Sequence, residues 1–489
     1  MIKKTVKLLG GILLLLIIVL LVQTFRFKSK QPPISAPISF KMDTASIKNL
    51  CDAINYQTVS FDDTSLIDKN QFTLFTKFLS ERYPLVDSIL LPQKINSSLL
   101  YTWKGKNNNI KPIILIAHMD VVPATNTSDN KWKEDPFSGI VKDGYIWGRG
   151  TRDDKISVIS ILEAVNSLLK ENYSPERTIY IGFGHDEEIG GLNGAKKIAE
   201  HLEKQGIKAE YVLDEGLLVT KNLVPGISKK VALIGTSEKG YVSLELSAHI
   251  DGGHSSMPGK KTAIGTLSEA IAKLEKNQAP AKICKPVEEF FEYVGPEMPF
   301  IQRMVFANTW LLKNIVIGIF EKTNSGNSLV RTTMAATIFD AGTKDNILPA
   351  EAKATINFRV LPGETISEVV NRTKRIIGDE SVSITIKGQQ NEPMPSSTAD
   401  SPSFKIIAQS ISQTFDSTLV APSLFIAASD SKHYLNVAEN IYRFLPLVTT
   451  GEELKQIHGE NERISIDNYQ KCILFYQQLI KNSNVMEVN

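Results

Sequence analysis

The chain has 489 residues, 42% hydrophobic and 22% charged, proportions that exclude disorder and collagen-like repeats and provide for a sizeable core. At about 150 residues per domain, the length predicts roughly two to four domains. Lys and Arg number 55 against 53 Asp and Glu, a net charge of +2, so no nucleic-acid partner is expected. Cys51, Cys284 and Cys472 are too few and too far apart for a disulfide framework or a zinc knuckle. They read as buried apolar fillers.

At the N-terminus Leu8 to Val22 is an unbroken apolar run of 15 residues, preceded by Lys3, Lys4 and Lys7 and followed by Arg26, Lys28 and Lys30. Its length falls between a signal-peptide core and a full membrane span. No small-residue cleavage pattern follows, which favours an uncleaved single-pass anchor with the body outside the cytoplasm. A cleaved signal, leaving a secreted protein, is the rival. The stretch 31–39, QPPISAPIS, reads as a Pro-stiffened tether.

Four short apolar runs then predict buried parallel strands at 113–120, 178–184, 209–216 and 423–429. Helical spacing predicts helices over 156–172 and 193–206, the second with Asn193 as N-cap and Gly206 as stop. Alternating strands and helices imply a mostly parallel α/β sheet covered on both faces. Near 238 the rhythm changes. Strands at 241–250, 332–339, 352–360 and 382–388, with helices at 262–276 and 366–377, give a βαββαβ order, a ferredoxin-like unit inserted into the α/β domain. The apolar excursion 300–320 reads as an extra core or interface helix. The expected division is an N-terminal segment (1–30), a tether (31–44), a catalytic domain in two parts (45–237 and 391–489) and an inserted lid (238–390).

Open α/β sheets place ligands at the C-terminal ends of their strands, and here those ends carry acids and histidine. The first strand ends His118-Met119-Asp120, whose alternate residues share a face, so that His118 can bind a metal with Asp120 orienting it. The second runs into Glu187-Glu188, adjacent carboxylates that are costly to desolvate without a cation. The third ends Asp214-Glu215-Gly216. Asp153 and Asp154 precede the helix at 156, where N-capping is the simpler reading, and His458 lies in a Gly-bearing loop. Histidines and carboxylates without thiolates suit Zn²⁺, with Mn²⁺ or Co²⁺ as substitutes, and the number of acids suits two ions sharing a carboxylate.

The segments ILIAHMDVVP, WGRGTRDDK, HDEEIGG, VLDEG, DGGHSSMPG, NILPAEAKATINFRVLPGE and IHGENERI, in this order, resemble the aminoacylase/carboxypeptidase family of co-catalytic zinc metallopeptidases, in particular its carboxypeptidase S and N-fatty-acyl-amino-acid synthase/hydrolase branch. The resemblance spans roughly residues 45 to 475. It implies a zinc-exopeptidase-like fold with two Zn²⁺ per chain. Asp153 would bridge the ions, His118 and Asp214 would complete one, and Glu188 and His458 the other. Glu187 would be the general base, taking a proton from the attacking water and returning it to the leaving amine. The Asp153–Asp154 peptide is expected to be cis. From the lid, His254 would polarise the scissile carbonyl, and Asn346 and Arg359 would hold a substrate carboxylate. The segment SDSKHY (429–434) departs from the family by carrying Lys432 where Arg is commoner, a point charge in place of a fork.

The expected function is therefore a membrane-anchored dinuclear zinc hydrolase cleaving an amide next to a free carboxylate. Its substrate would be a small peptide losing its C-terminal residue or an N-acyl amino acid, and the lid would offer a homodimer surface. The segment 300–320 is a candidate to receive an acyl chain or to approach a bilayer. Rivals are a catalytically silent metal-binding ectodomain, against which the retained Glu187 argues, and a related deacetylase.

Overall fold

In the computed structural model, which describes residues 2–33, 38, 42–124 and 131–484, the apolar runs become strands of one eight-stranded sheet. Its strand order is 93–95, 98–103, 179–184, 113–118, 209–220, 438–449, 230–238 and 418–425. Strand 113–118 is at the centre, parallel to 179–184 on one side and 209–220 on the other. The pair 93–95 and 98–103 adds an antiparallel edge. Alternate residues of the central strand enter different cores. Ile113, Leu115 and Ala117 pack with Ile156, Ile159 and Leu162 of the helix Lys155–Lys170, whereas Ile114 and Ile116 pack with Ile198 and Leu202 of the helix Ala195–Lys204. That division is the period-two pleat of a strand covered by helices on both faces.

Two local expectations are corrected. Asn193 does not cap the helix that follows it: Asp186, turned toward the chain, takes the Asn193 N–H at 2.7 Å and the Gly194 N–H at 2.8 Å, and Gly194 is the N-cap. The last core strand runs over Thr418–Phe425, in parallel register with Lys230–Glu238, and residues 426–429 have already left the sheet.

A second, four-stranded antiparallel sheet has the order 333–341, 351–360, 240–249 and 382–391. With the helices Ala263–Lys276 and Ile366–Ile377 it forms the ferredoxin-like unit, with a core of its own that includes Val242, Leu244, Leu246, Ile356 and Leu267. A short two-stranded ribbon pairs Gly253–His254 with Ile347–Leu348. The excursion 300–320 is not a core helix. It forms two helices, Phe300–Ala307 with no buried residue and Thr309–Phe320 with only Val316 buried.

The N-terminal apolar run lies within a 25-residue helix, Ile2–Arg26. The start of the expected tether is held by the body. The Gln31 side chain donates to the carbonyls of Tyr293 and Val420, each at 3.0 Å, and accepts the Val420 N–H at 2.7 Å. Residues 34–37 and 39–41 of the tether lie outside the described residues. The cysteines are free thiols, Cys284 and Cys472 buried and Cys51 half-buried.

Candidate metal centre and active site

Three neighbouring strands of the main sheet deliver the candidate residues. His118 is the last residue of the central strand. Strand 179–184 runs on into the single turn Glu187–Ile189, and strand 209–220 carries Asp214 and Glu215. Asp153 precedes the helix Lys155–Lys170, and its peptide bond to Asp154 is cis. His458 has a positive φ of 57° in the loop before strand 463–465.

These side chains meet around Asp153. Its Oδ1 lies 3.0 Å from Nε2 of His118, and its Oδ2 lies 3.0 Å from Nε2 of His458. His118 Nε2 is also 3.2 Å from Glu215 Oε1, and His458 Nε2 is 3.3 Å from Glu188 Oε2. The result is two His-carboxylate clusters sharing one carboxylate. Two atoms bonded at about 2.1 Å to a tetrahedral cation lie about 3.4 Å apart, close to the spacing seen in both clusters. Glu188 Oε1 and Asp154 Oδ1 are buried without a hydrogen-bond partner, as atoms awaiting a cation would be. The donor set contains imidazole and carboxylate only, which suits a divalent metal of the zinc type.

Asp214 is not in this cluster. Its Oδ2 accepts the backbone N–H of Ser431 at 2.8 Å, and its Oδ1 that of Glu215 at 2.9 Å. The cause is a bulge: Asp214 stands opposite Arg443, but Phe444 stands opposite Leu217, so Glu215 and Gly216 have no partners of their own. Gly216 has φ 146°, and a Cβ there would meet Arg443 Cβ at 2.7 Å. This irregular step swings Glu215 toward His118, in the place expected for Asp214.

Asp120 ties the histidine to the paired glutamates. His118 Nδ1 is 2.9 Å from the Asp120 carbonyl, so this nitrogen carries the proton and leaves Nε2 free to ligate. The Asp120 carboxylate, fully buried, accepts the N–H groups of Glu187 and Glu188 at 3.1 and 3.2 Å and the Ser60 hydroxyl at 2.7 Å. A second tie was not visible in the sequence. The buried Glu462 accepts from Arg149 at 2.5 Å and from the N–H groups of Gly150 and Arg152 at 3.0 and 2.7 Å, fastening the segment before Asp153 to the segment after His458.

Electrostatically the site is overloaded with acids. Burial pushes Glu187 well above the usual carboxyl range, with Asp430 and Glu188 adding to it and His118 opposing. Glu215 is raised in the same way by burial and then by Asp153 and Asp154. Burial also acts to raise Asp153, but hydrogen bonds with His118 and His458 outweigh it and hold this group below the normal range. Hydrogen bonds to Asp153 and Glu188 raise His458 to about 10. Buried acids in such excess are the arrangement that bound cations would relieve.

The lid residues stand apart from this cluster. His254 is exposed, and its Nδ1 partners Ser256 Oγ at 2.8 Å. Its strand pairs with Ile347–Leu348, and the exposed Asn346 just before that strand accepts the Ser255 N–H at 3.2 Å through its carbonyl. Arg359, half-buried on strand 351–360, lays its guanidinium 4.9 Å from the centre of the Tyr241 ring. Lys432 lies in the turn Asp430–Tyr434, where its charge acts on Glu187.

A sheet of this topology, with such a site at its carboxyl edge, defines a metallopeptidase-type hydrolase. The chain belongs to Peptidase family M20/M25/M40, whose profile matches residues 114–482. Among curated relatives it is 41% identical to the probable carboxypeptidase S-like 2 of Dictyostelium discoideum, over 98% of this chain and 93% of that one. It is 40% identical to an N-fatty-acyl-amino acid synthase/hydrolase of Xenopus tropicalis, over 96% of this chain and 93% of that one. Among solved structures, an M20 family metallo-carboxypeptidase from Sulfolobus solfataricus superposes with a TM-score of 0.64 at 19% identity, covering 91% of this chain and 100% of that one. The family, the hydrolase class and the α/β fold with its inserted lid are thus as expected from the sequence. M20 enzymes are metal-dependent, and the clusters around His118 fit that requirement.

Proposed function

We propose that the protein is a dinuclear zinc hydrolase that cleaves the amide joining an acyl or peptidyl group to an amino acid with a free carboxylate. The observation that carries this reading is the shared carboxylate: each oxygen of Asp153 faces a different histidine at 3.0 Å. His118, Glu215 and Asp153 would hold one ion, and His458, Glu188 and Asp153 the other. Bound there, the pair of cations would supply a nucleophile at neutral pH by acidifying water, and would polarise the scissile carbonyl.

The remaining work falls to the chain's own groups. Glu187, aimed by the bond from its N–H to Asp120, takes the proton of the attacking water and delivers it to the departing amine nitrogen. Asp120 fixes the His118 ring and the Glu187-Glu188 turn as one unit. In the lid (238–390), which also offers a homodimer surface, Arg359 and Asn346 receive the substrate carboxylate, and His254 approaches the carbonyl oxygen when the lid meets the sheet edge. The curated relatives, a carboxypeptidase S-like protein and an N-fatty-acyl-amino acid synthase/hydrolase, support a small peptide or an N-acyl amino acid as substrate.

Membrane attachment through the N-terminal helix belongs to the same reading. An 18-residue window of Ile2–Arg26 has a mean hydropathy of 2.8 and no buried residue, and 25 residues exceed the roughly 20 needed to cross. Its C-terminal end is fastened to the body: Asn308 Nδ2 donates to the Leu20 carbonyl at 3.2 Å, Arg303 to that of Phe27 at 2.6 Å, and Lys30 pairs with Glu292 at 2.6 Å. Such ties favour a retained anchor over a cleaved signal.

The test is a substrate panel. The full chain, purified in mild detergent and loaded with Zn²⁺, is offered dipeptides and N-acyl amino acids of graded acyl length, and released amino acids are identified by mass spectrometry. Release that falls at least about 100-fold in Glu187→Gln is expected. Turnover that the substitution leaves unchanged would overturn the assignment.

A further inference from the structure

Outside the site, the largest unexplained feature is the helix pair 300–307 and 309–320. The second helix, TWLLKNIVIGIF, has Lys313 and Asn314 as its only polar residues after Thr309. Its Val316 faces inward and, with Phe320 packed beside it, joins a small core of Cys284, Val287, Phe291, Leu361 and Leu424. That leaves Leu311, Ile315 and Ile319, four residues apart and so in one stripe, exposed beside Trp310, which is 61% exposed. Phe300 and Ile301 of the preceding helix are exposed as well. A helix apolar on nearly every side belongs in a core or in lipid, and this one leaves the side away from its core exposed.

The N-terminal helix indicates what covers the stripe. The Phe25 ring lies 6.2 Å from that of Phe300, and Asn308, fully buried between the two helices of the pair, donates to the Leu20 carbonyl and lies 3.4 Å from Thr24 Oγ1. The last turns of the apolar N-terminal helix are thus packed against the pair. Arg26 and Lys28, both exposed, follow at that end, where the basic side chains of an interfacial helix meet lipid headgroups. A helix crossing the bilayer at this point brings the stripe to the membrane surface.

We propose that the Trp310–Leu311–Ile315–Ile319 face, with Phe300 and Ile301, is a second membrane contact, lying in the headgroup–acyl boundary of the bilayer that the N-terminal helix crosses. The proposal rests on the anchor reading above and extends it: the body is held against the lipid by a surface instead of swinging on a tether. Trp310 suits the boundary, with an apolar ring whose indole N–H is 3.3 Å from Asn308 Oδ1.

The experiment isolates Trp310 by its removal: of the other tryptophans, Trp103 and Trp147 are buried in the body and Trp132 is half-buried beside Arg149, so the difference made by Trp310→Phe is the Trp310 signal. The full chain is reconstituted into phosphatidylcholine–phosphatidylglycerol vesicles with or without acyl chains brominated at carbons 6 and 7. Tryptophan emission should fall in the brominated vesicles, Trp310→Phe should abolish that fall, and Ile315→Asp should reduce it at least twofold. Alkaline carbonate extraction of the same vesicles tests the anchor separately. A chain that resists extraction but shows no bromine quenching would refute the surface contact and leave the anchor standing. An extractable chain with quenched Trp310 would refute the anchor and keep the contact; loss of both would refute both. Disulfide cross-linking of Leu311→Cys chains at high lipid-to-protein ratio, without quenching, would assign the face to a second copy and overturn the proposal.

Discussion

Asp153 Oδ1 lies 3.0 Å from His118 Nε2 while its Oδ2 lies 3.0 Å from His458 Nε2, so one carboxylate joins residues 340 positions apart in the chain, 118 to 458. Removing it should undo both halves of the site. Asp153→Ala is expected to lose both metal equivalents, measured by plasma mass spectrometry after gel filtration, and activity should fall to background. Retention of two ions would show that they are held without a shared ligand.

The bulge at Glu215 separates two adjacent acids by role. Glu215→Gln should weaken metal binding by more than the roughly 10- to 100-fold that loss of a supporting partner costs. Asp214→Asn, which alters bonds to Ser431 and Glu215 backbone groups, should stay within that range and show mainly as a lower unfolding midpoint. Competition titration with a chromophoric zinc chelator measures both, and the reverse ranking would return the ligand role to Asp214.

Glu187→Gln keeps the shape of the side chain and removes its basicity. A fall in kcat of about 10²- to 10⁴-fold is expected, with metal content and substrate KM little changed. If KM changed instead and kcat did not, Glu187 would be a binding residue.

Glu462 pairs with Arg149, and both are almost fully buried. Glu462→Gln leaves the guanidinium without its counter-charge, a change that typically costs about 3–5 kcal/mol. Urea unfolding followed by circular dichroism should show the loss, and zinc affinity should fall with it because the segments bearing Asp153 and His458 are no longer fastened together. An unchanged midpoint would mean that the backbone N–H groups alone hold these loops.

His433, bonded to the turn that carries Glu188, supplies a pH signature of its own. Burial lowers its pKa to about 4, its bond to the Gly190 carbonyl only partly opposing, whereas the unfolded chain should titrate near about 6.5. Between these values the unfolded state binds more protons, so stability falls as pH drops from about 6.5 to about 4. His433→Gln should flatten that part of the stability curve and leave it parallel to the parent above pH 7. Curves parallel throughout would remove His433 as the source.

Much of this protein is written locally. The apolar runs that become the central strands, the spacing of the helix 155–170, the change of rhythm into the lid and the acids at strand ends are short-range patterns, because burial on a pleat or a helix face repeats every two or 3.6 residues. The residue types of the metal site, and the family, follow from the same stretches. The tertiary structure alone decided which acid reaches His118, since a bulge closely packed against Arg443 brings Glu215 there in place of Asp214, the ligand that the family resemblance implied. It alone showed Glu462 buried under Arg149, and turned 300–320 outward against the N-terminal helix. Those outcomes depend on which surfaces meet when residues hundreds of positions apart pack together, and no local periodicity carries that information.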